Sequence, residues 1–119
     1  MNNRDFGLRG EDEAVNFLIK QGFKILCRNY RVSRMGEIDI IARDGETICF
    51  IEVKTRSNDN FGTPSMAVSF SKQASIRRLA QVYLSQFNLL DCPVRFDVLE
   101  LMMARNGLVQ SINHITNAF

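Results

Sequence analysis

The stretch Gly36–Arg56, GEIDIIARDGETICFIEVKTR, constrains the fold more than any other part of the chain. An Asp-Gly pair between two apolar, β-branched runs signals a hairpin, because a type I′ turn needs positive φ at both central residues. With Asp44 and Gly45 as that turn, Arg43 faces Glu46, and pairing outward sets Ile41 against Ile48, Asp39 against Phe50 and Glu37 against Glu52. Alternation then places Glu37, Asp39, Ile41, Ile48, Phe50, Glu52 and Lys54 on one face, and Ile38, Ile40, Cys49, Ile51 and Val53 on the other. The second face is wholly apolar and the first is apolar near the turn. Both strands are therefore expected at the centre of a sheet covered on both sides.

The charges at the open end of this hairpin need a physical reason. The register leaves Glu37 opposite Glu52 and Asp39 on the diagonal, about 7 to 8 Å from Glu52. Facing like charges destabilise a sheet, and a desolvated carboxylate costs several kcal/mol unless it is neutralised. A cation would do so, and ligands that are all oxygen suit Mg²⁺ or Mn²⁺. Lys54, two residues beyond Glu52 on the same face, would sit beside the ion and steady a water or a phosphate oxygen. The competing reading is a solvated amphipathic hairpin in which Glu52 simply pairs with Lys54. Ile41, Ile48 and Phe50 on that face argue against full solvation.

Asp39 followed thirteen residues later by Glu52-Val53-Lys54 resembles the PD-(D/E)xK signature of restriction-endonuclease-like nucleases, with Ile38 where that signature carries proline. Gly10-Glu11 with Ala14, then GEIDIIA, FIEVKTR, Phe61-Gly62, Lys72 and Arg95–Val98, resemble more closely the YraN-like family. That is a bacterial family of predicted endonucleases distantly similar to archaeal Holliday-junction resolvases. The resemblance spans nearly the whole chain. It implies an active site containing Glu11, with Asp39 and Glu52 as metal ligands helped by the Val53 carbonyl, Glu11 and Glu37 as outer ligands, and Lys54 as a catalytic residue.

The rest of the chain is read around that hairpin. Asp5–Gln21 has helical periodicity closed by Gly22, and Glu11 falls on the same stripe as Ala14, Val15, Leu18 and Ile19. Phe23–Val32 reads as a strand leading into the hairpin, and Arg28, Arg31, Arg34 and Arg43 make this region basic. Asn58–Pro64 reads as a loop. Ser71 is expected to cap a helix from Lys72 to Phe87, with Ile76, Leu79, Ala80, Tyr83 and Phe87 on its apolar face. Lys72 points inward at that helix start and suits a phosphate, and Arg77 and Arg78 extend a basic track. With Arg31 and Arg56, these three are the expected nucleic-acid contacts. Val94–Met102 alternates and turns at Asn106-Gly107 into Leu108–Ile115, giving outer strands. Asp97 is expected to pair with Arg95 and to lie outside the site.

Composition limits the alternatives. At 119 residues the chain is expected to form one domain, residues 1–119, and its net charge of +2 requires a nucleic-acid partner to be held by a local patch. Three cysteines without a CxxC pair make a poor disulfide or zinc framework, and a reducing cytoplasm fits them. Cys49 is expected to be a buried hydrophobe. The one histidine, His114, removes His-metal nuclease and Ser-His chemistries. No run of apolar residues approaches a membrane span. The expectation is an α/β, restriction-endonuclease-like domain with a mixed central sheet flanked by helices. Its activity would be a Mg²⁺- or Mn²⁺-dependent endonuclease acting on nucleic acid, DNA with a branch in particular, and a homodimer stays open. The alternative is a catalytically silent nucleic-acid-binding module of the same fold.

Overall fold

A computed structural model describes residues 1–57 and 68–119. The expected loop at Asn58–Pro64 lies outside the described residues. In chain order the elements are α1 (Asn3–Lys20), β1 (Lys24–Arg31), β2 (Glu37–Asp44), β3 (Thr47–Arg56), α2 (Phe70–Gln86), β4 (Val94–Met103) and β5 (Val109–Ile115). The strands form one sheet in the order β1-β2-β3-β4-β5. Every neighbouring pair is antiparallel except β3 and β4, which are parallel. A parallel pair needs a crossover, and α2 lies in that connection.

Each helix covers one face. Ile76, Leu79, Ala80, Tyr83 and Leu84 of α2 pack with Ile41, Ile48, Phe50 and Val98. Ala14 and Leu18 of α1 pack with Ile40, Ala42, Cys49, Ile51, Leu99 and Leu101. The faces assigned by alternation near the turn are those observed. Cys49 is fully buried, as a small hydrophobe should be. The fold is thus mixed α/β, a five-stranded mixed sheet between two helices in the described residues, consistent with a restriction-endonuclease-like architecture. Among those residues no helix is long and apolar enough to cross a membrane.

Four local expectations are corrected. The hairpin turn is Gly45-Glu46, with Asp44 paired to Thr47 and Ile41 to Phe50. Gly45 has φ 61°, whereas neither Asp44 nor Glu46 has positive φ, so glycine occupies the first central position of a II′-type turn. Next, α2 is capped by Ser69 and not Ser71: the Ser69 hydroxyl accepts from the Lys72 N–H at 3.1 Å, and the helix begins at Phe70. Third, β4 is an interior strand, with Asp97 fully buried, so of the β4–β5 pair β5 alone lies at an edge of the sheet. Finally, Ile19 is 54% exposed, because Ala14 and Leu18 already fill the contact between α1 and the sheet.

Gly10 lets α1 approach β3. A Cβ there would fall 2.1 Å from Thr55 Oγ1. Gly10→Ala is therefore expected to destabilise the fold by about 1 to 3 kcal/mol through overpacking. Urea denaturation reads this directly, and unchanged stability would mean the helix is not pressed against Thr55.

Candidate functional site: an acid cluster where two central strands part

The central hairpin pairs regularly from its turn as far as Ile40 and Ile51 and then opens. Beyond that point the Asp39 side chain replaces the missing ladder bond, its Oδ2 accepting from the Val53 N–H at 2.8 Å. The corrected register, carried one step past Ile40 and Ile51, sets Asp39 toward Glu52, where the pairing expected from the sequence had Phe50, and the two carboxyls are close enough for Glu52 to raise Asp39.

Strict alternation also fails at Asp39. Ile38 packs with the α2 cluster and Ile40 with the α1 cluster, although alternation would put both on one face. The irregularity lies next door in β1, where Asn29 holds φ 53° in the middle of a strand. A non-glycine residue in the left-handed region is unusual there, asparagine being the side chain that tolerates it best. Asp39 lines a cleft of about 420 Å³ on the α1 side, shared with Glu11, Val53 and Thr55.

One carboxylate oxygen from each of Glu11, Glu37 and Asp39 lies within 4.8 Å of the other two. Asn29 joins two of them, its Nδ2 donating to Glu11 Oε1 at 3.0 Å and to Glu37 Oε1 at 2.9 Å. Arg31 holds the other Glu37 oxygen in an ion pair. Glu52, 6% exposed, turns toward α2, where Lys72 Nζ lies 3.5 Å from its Oε2. Burial and then the hydrogen bond and charge of Glu52 push the Asp39 carboxyl up to about 8, against the pull of the Val53 N–H and Lys72. Burial likewise raises Glu11, opposed by the Asn29 amide.

The structure thus gathers Glu11, Glu37, Asp39, Glu52, Val53 and Lys72 at one place. Lys54 follows on β3, half-buried, in register with Glu100 of β4 and in no ion pair among the described residues. The pairing of Glu52 with Lys54 is not the one present, since the partner of Glu52 is Lys72. Arg31 is engaged with Glu37, and Arg56 is half-buried at the end of β3. Arg77 lies on the α2 side, its guanidinium carbon 4.6 Å from the Phe96 ring centroid, and neighbouring Arg78 is exposed. Sequence reasoning missed Asn29. An asparagine inside a strand pattern was the available signal, because that residue is depleted in strands and tolerates positive φ.

Asp97 stands apart, as expected, and is better held than Arg95 alone would explain. Its oxygens accept from Arg95, from the Asn117 N–H at 3.1 Å and from His114 Nε2 at 2.9 Å. Burial opposes its ionisation, yet the hydrogen bonds from His114 and Arg95 prevail and hold it below the usual carboxylate range. It is a structural anion that fixes β5 to β4.

A mixed sheet between two helices, with carboxylates converging where its central strands separate, defines an α/β protein of restriction-endonuclease-like architecture with an acidic cleft. The chain belongs to the uncharacterised protein family UPF0102, whose model matches residues 10–101. It is similar end to end to UPF0102 proteins of Clostridioides difficile (49% identical), Caldicellulosiruptor saccharolyticus (46%) and Dictyoglomus turgidum (45%), with 100% of each chain covered in all three comparisons.

Proposed function

We propose that the chain is a Mg²⁺- or Mn²⁺-dependent endonuclease that hydrolyses phosphodiester bonds in nucleic acid, with branched DNA as the favoured substrate and a reducing cytoplasm as its setting. The observation that carries this reading is the convergence of Glu11, Glu37 and Asp39, with Glu52 close enough to Asp39 to raise its carboxyl. The donor set fits the ion. Oxygens on opposite sides of Mg²⁺ are about 4.2 Å apart, so the observed 4.8 Å spread closes with small side-chain adjustments. Glu11, Glu37 and Asp39 would hold the ion, Glu37 being oriented by Asn29 and Arg31, and Glu52 would act on the group through its neighbour Asp39 from the α2 side. When bound, the ion would supply Lewis acidity, acidifying water and offsetting charge that develops on the phosphate.

The protein's own residues have separable parts in this scheme. Asn29 sets the separation of Glu11 and Glu37, and Lys72 neutralises Glu52 from the α2 side. Lys54, the remaining cation of the β3 motif, would steady the attacking water or a non-bridging oxygen. The rival reading, a silent binding module, draws on the Glu52–Lys72 ion pair, which offsets one acid without any metal. Incubating the purified chain with branched, flapped and linear DNA, with Mg²⁺, Mn²⁺ or chelator, tests the proposal. A wild type that cuts nothing on that panel removes it.

The role of Asn29 is open to a cleaner measurement. Asn29→Gly keeps the left-handed backbone accessible and deletes only the amide, so the fold should survive. Mn²⁺ affinity, followed by titration calorimetry, should fall by about 10-fold or more, as when an outer-shell partner is lost. Asn29→Ala should show the same loss and additionally melt lower. Unchanged Mn²⁺ affinity in the glycine variant would restrict Asn29 to a backbone role.

A further inference from the structure

We infer that Arg105 grips the phosphodiester backbone of the substrate strand beside the acid cluster, so that nucleic acid enters over the first turns of α1 and not along α2. This rests on the nuclease reading above and names the surface that would present the substrate to that site.

Arg105 lies in the turn between β4 and β5, and it lines the same cleft as Glu11 and Asp39. The turn is pressed onto the start of α1: a Cβ on Gly107, which has φ +91°, would lie 3.2 Å from Met1 Cε and 3.6 Å from Arg9 Nε. Two contacts fix the guanidinium in place. Its carbon lies 4.7 Å from the Phe6 ring centroid, and Nη1 donates to Asn3 Oδ1 at 2.9 Å. Neither contact supplies negative charge. Arg9, Arg28, Arg31 and Arg95 each pair with a carboxylate, whereas among the described residues no carboxylate lies within ion-pair distance of Arg105, even though two acids share its cleft.

The cleft is therefore lined both by a cation held in place without a carboxylate partner and by two members of the acid cluster. A phosphodiester strand complements that arrangement. One phosphate can take the planar, bidentate fork of arginine while its neighbour meets the cation held by the carboxylates. On the α2 side, among the described residues, no unpaired cation lines the cleft that holds Glu11 and Asp39. Lys72 is committed to Glu52, and the Arg77 guanidinium rests over Phe96 and, at 5.8 Å from the ring centroid, Phe119.

The test uses fluorescence anisotropy with two labelled probes, a short DNA single strand and a four-way junction, across a salt series with Ca²⁺ in place of Mg²⁺. Arg105→Ala is expected to weaken binding of both probes by about 10-fold and to lower the log–log salt slope by about 0.7 to 0.9, one phosphate contact. Arg105→Lys should keep the slope and recover part of the affinity, because it restores charge without the fork. Arg78→Ala should bind as wild type, and Mn²⁺ titration should be the same in all four proteins. Equal affinity and slope for wild type and Arg105→Ala, in a wild type that does bind, would reduce Arg105 to a latch between the turn and α1 and leave the nuclease reading standing. A wild type that binds neither probe at low salt overturns both.

Discussion

Asp39→Asn is expected to stabilise the metal-free protein at pH 8, by about 2 to 3 kcal/mol, while abolishing both its response to Mn²⁺ and its cleavage of DNA. The sign follows from linkage. The Asp39 carboxyl titrates near 8 in the folded chain, pushed up by burial and by Glu52, and near 4 when unfolded. Between those values the folded state binds a proton that the unfolded state has released. Stability from this group is thus complete at low pH and is lost as pH rises toward 8, by at most about 1.4 kcal/mol per pH unit. Asparagine mimics the protonated acid. Its oxygen can still accept from the Val53 N–H and its amide can donate to Glu52, so the variant should lack this decline. Urea denaturation from pH 5 to 9 in chelator would read the difference, which should grow with pH and then level off. With Mn²⁺ the wild-type trend should reverse, because a cation competes with the proton on Asp39 and binds more tightly as pH rises. A variant less stable than wild type at pH 8 in chelator would mean that the ionised acid is structural.

Lys54→Ala is expected to lower the cleavage rate by about 10²-fold or more while leaving fold, Mn²⁺ affinity and DNA affinity close to wild type, because it removes a group needed only as charge develops on the phosphate. The structure makes this a sharper comparison than the sequence allowed. Had Glu52 depended on Lys54, the variant would strand a nearly buried carboxylate and weaken the fold, confounding the assay. The partner of Glu52 is Lys72, so Lys72→Ala is the change that should weaken the fold, by about 1 kcal/mol given that the Lys72 side chain is 38% exposed. Measuring turnover and urea stability on both variants separates the roles. Inactive but stable for Lys54→Ala, destabilised for Lys72→Ala, is the expected pair. A Lys54→Ala protein that cuts at the wild-type rate removes Lys54 from the chemistry.

The hairpin's position at the sheet centre, its two faces near the turn and the inward aspect of Glu11 were legible because each depends on side-chain period alone. What depended on backbone dihedrals was not. Asp-Gly suggested positive φ at Asp44, and the chain instead used Gly45-Glu46, which moved Asp39 from opposite Phe50 to opposite Glu52. That shift made the acid cluster tighter than the sequence implied. Asp39 lies where β2 loses its alternation, next to the left-handed Asn29 of β1, and neither irregularity shows in a side-chain pattern. Ser71 was the expected cap of α2, and the bond that Ser69 accepts from the Lys72 N–H moves the cap back by two residues. Partners of cations were the least legible. Lys72 reads as a free phosphate ligand until the fold brings Glu52 beside it, and Arg105 has no motif around it at all.

The parallel seam between β3 and β4 sets an order in time. The β2–β3 and β4–β5 ladders join neighbouring segments and can zip from their turns, whereas β3 must wait for β4 across the 37 residues between Arg56 and Val94. Closing such a span carries its entropy cost before any contact rewards it, so the seam belongs to the slow step of folding. Asp39 and Glu52 can thus meet early, on a local hairpin, but the sheet that buries them arrives late. A divalent cation present during refolding should therefore bind only after the rate-limiting closure, slowing unfolding without speeding folding.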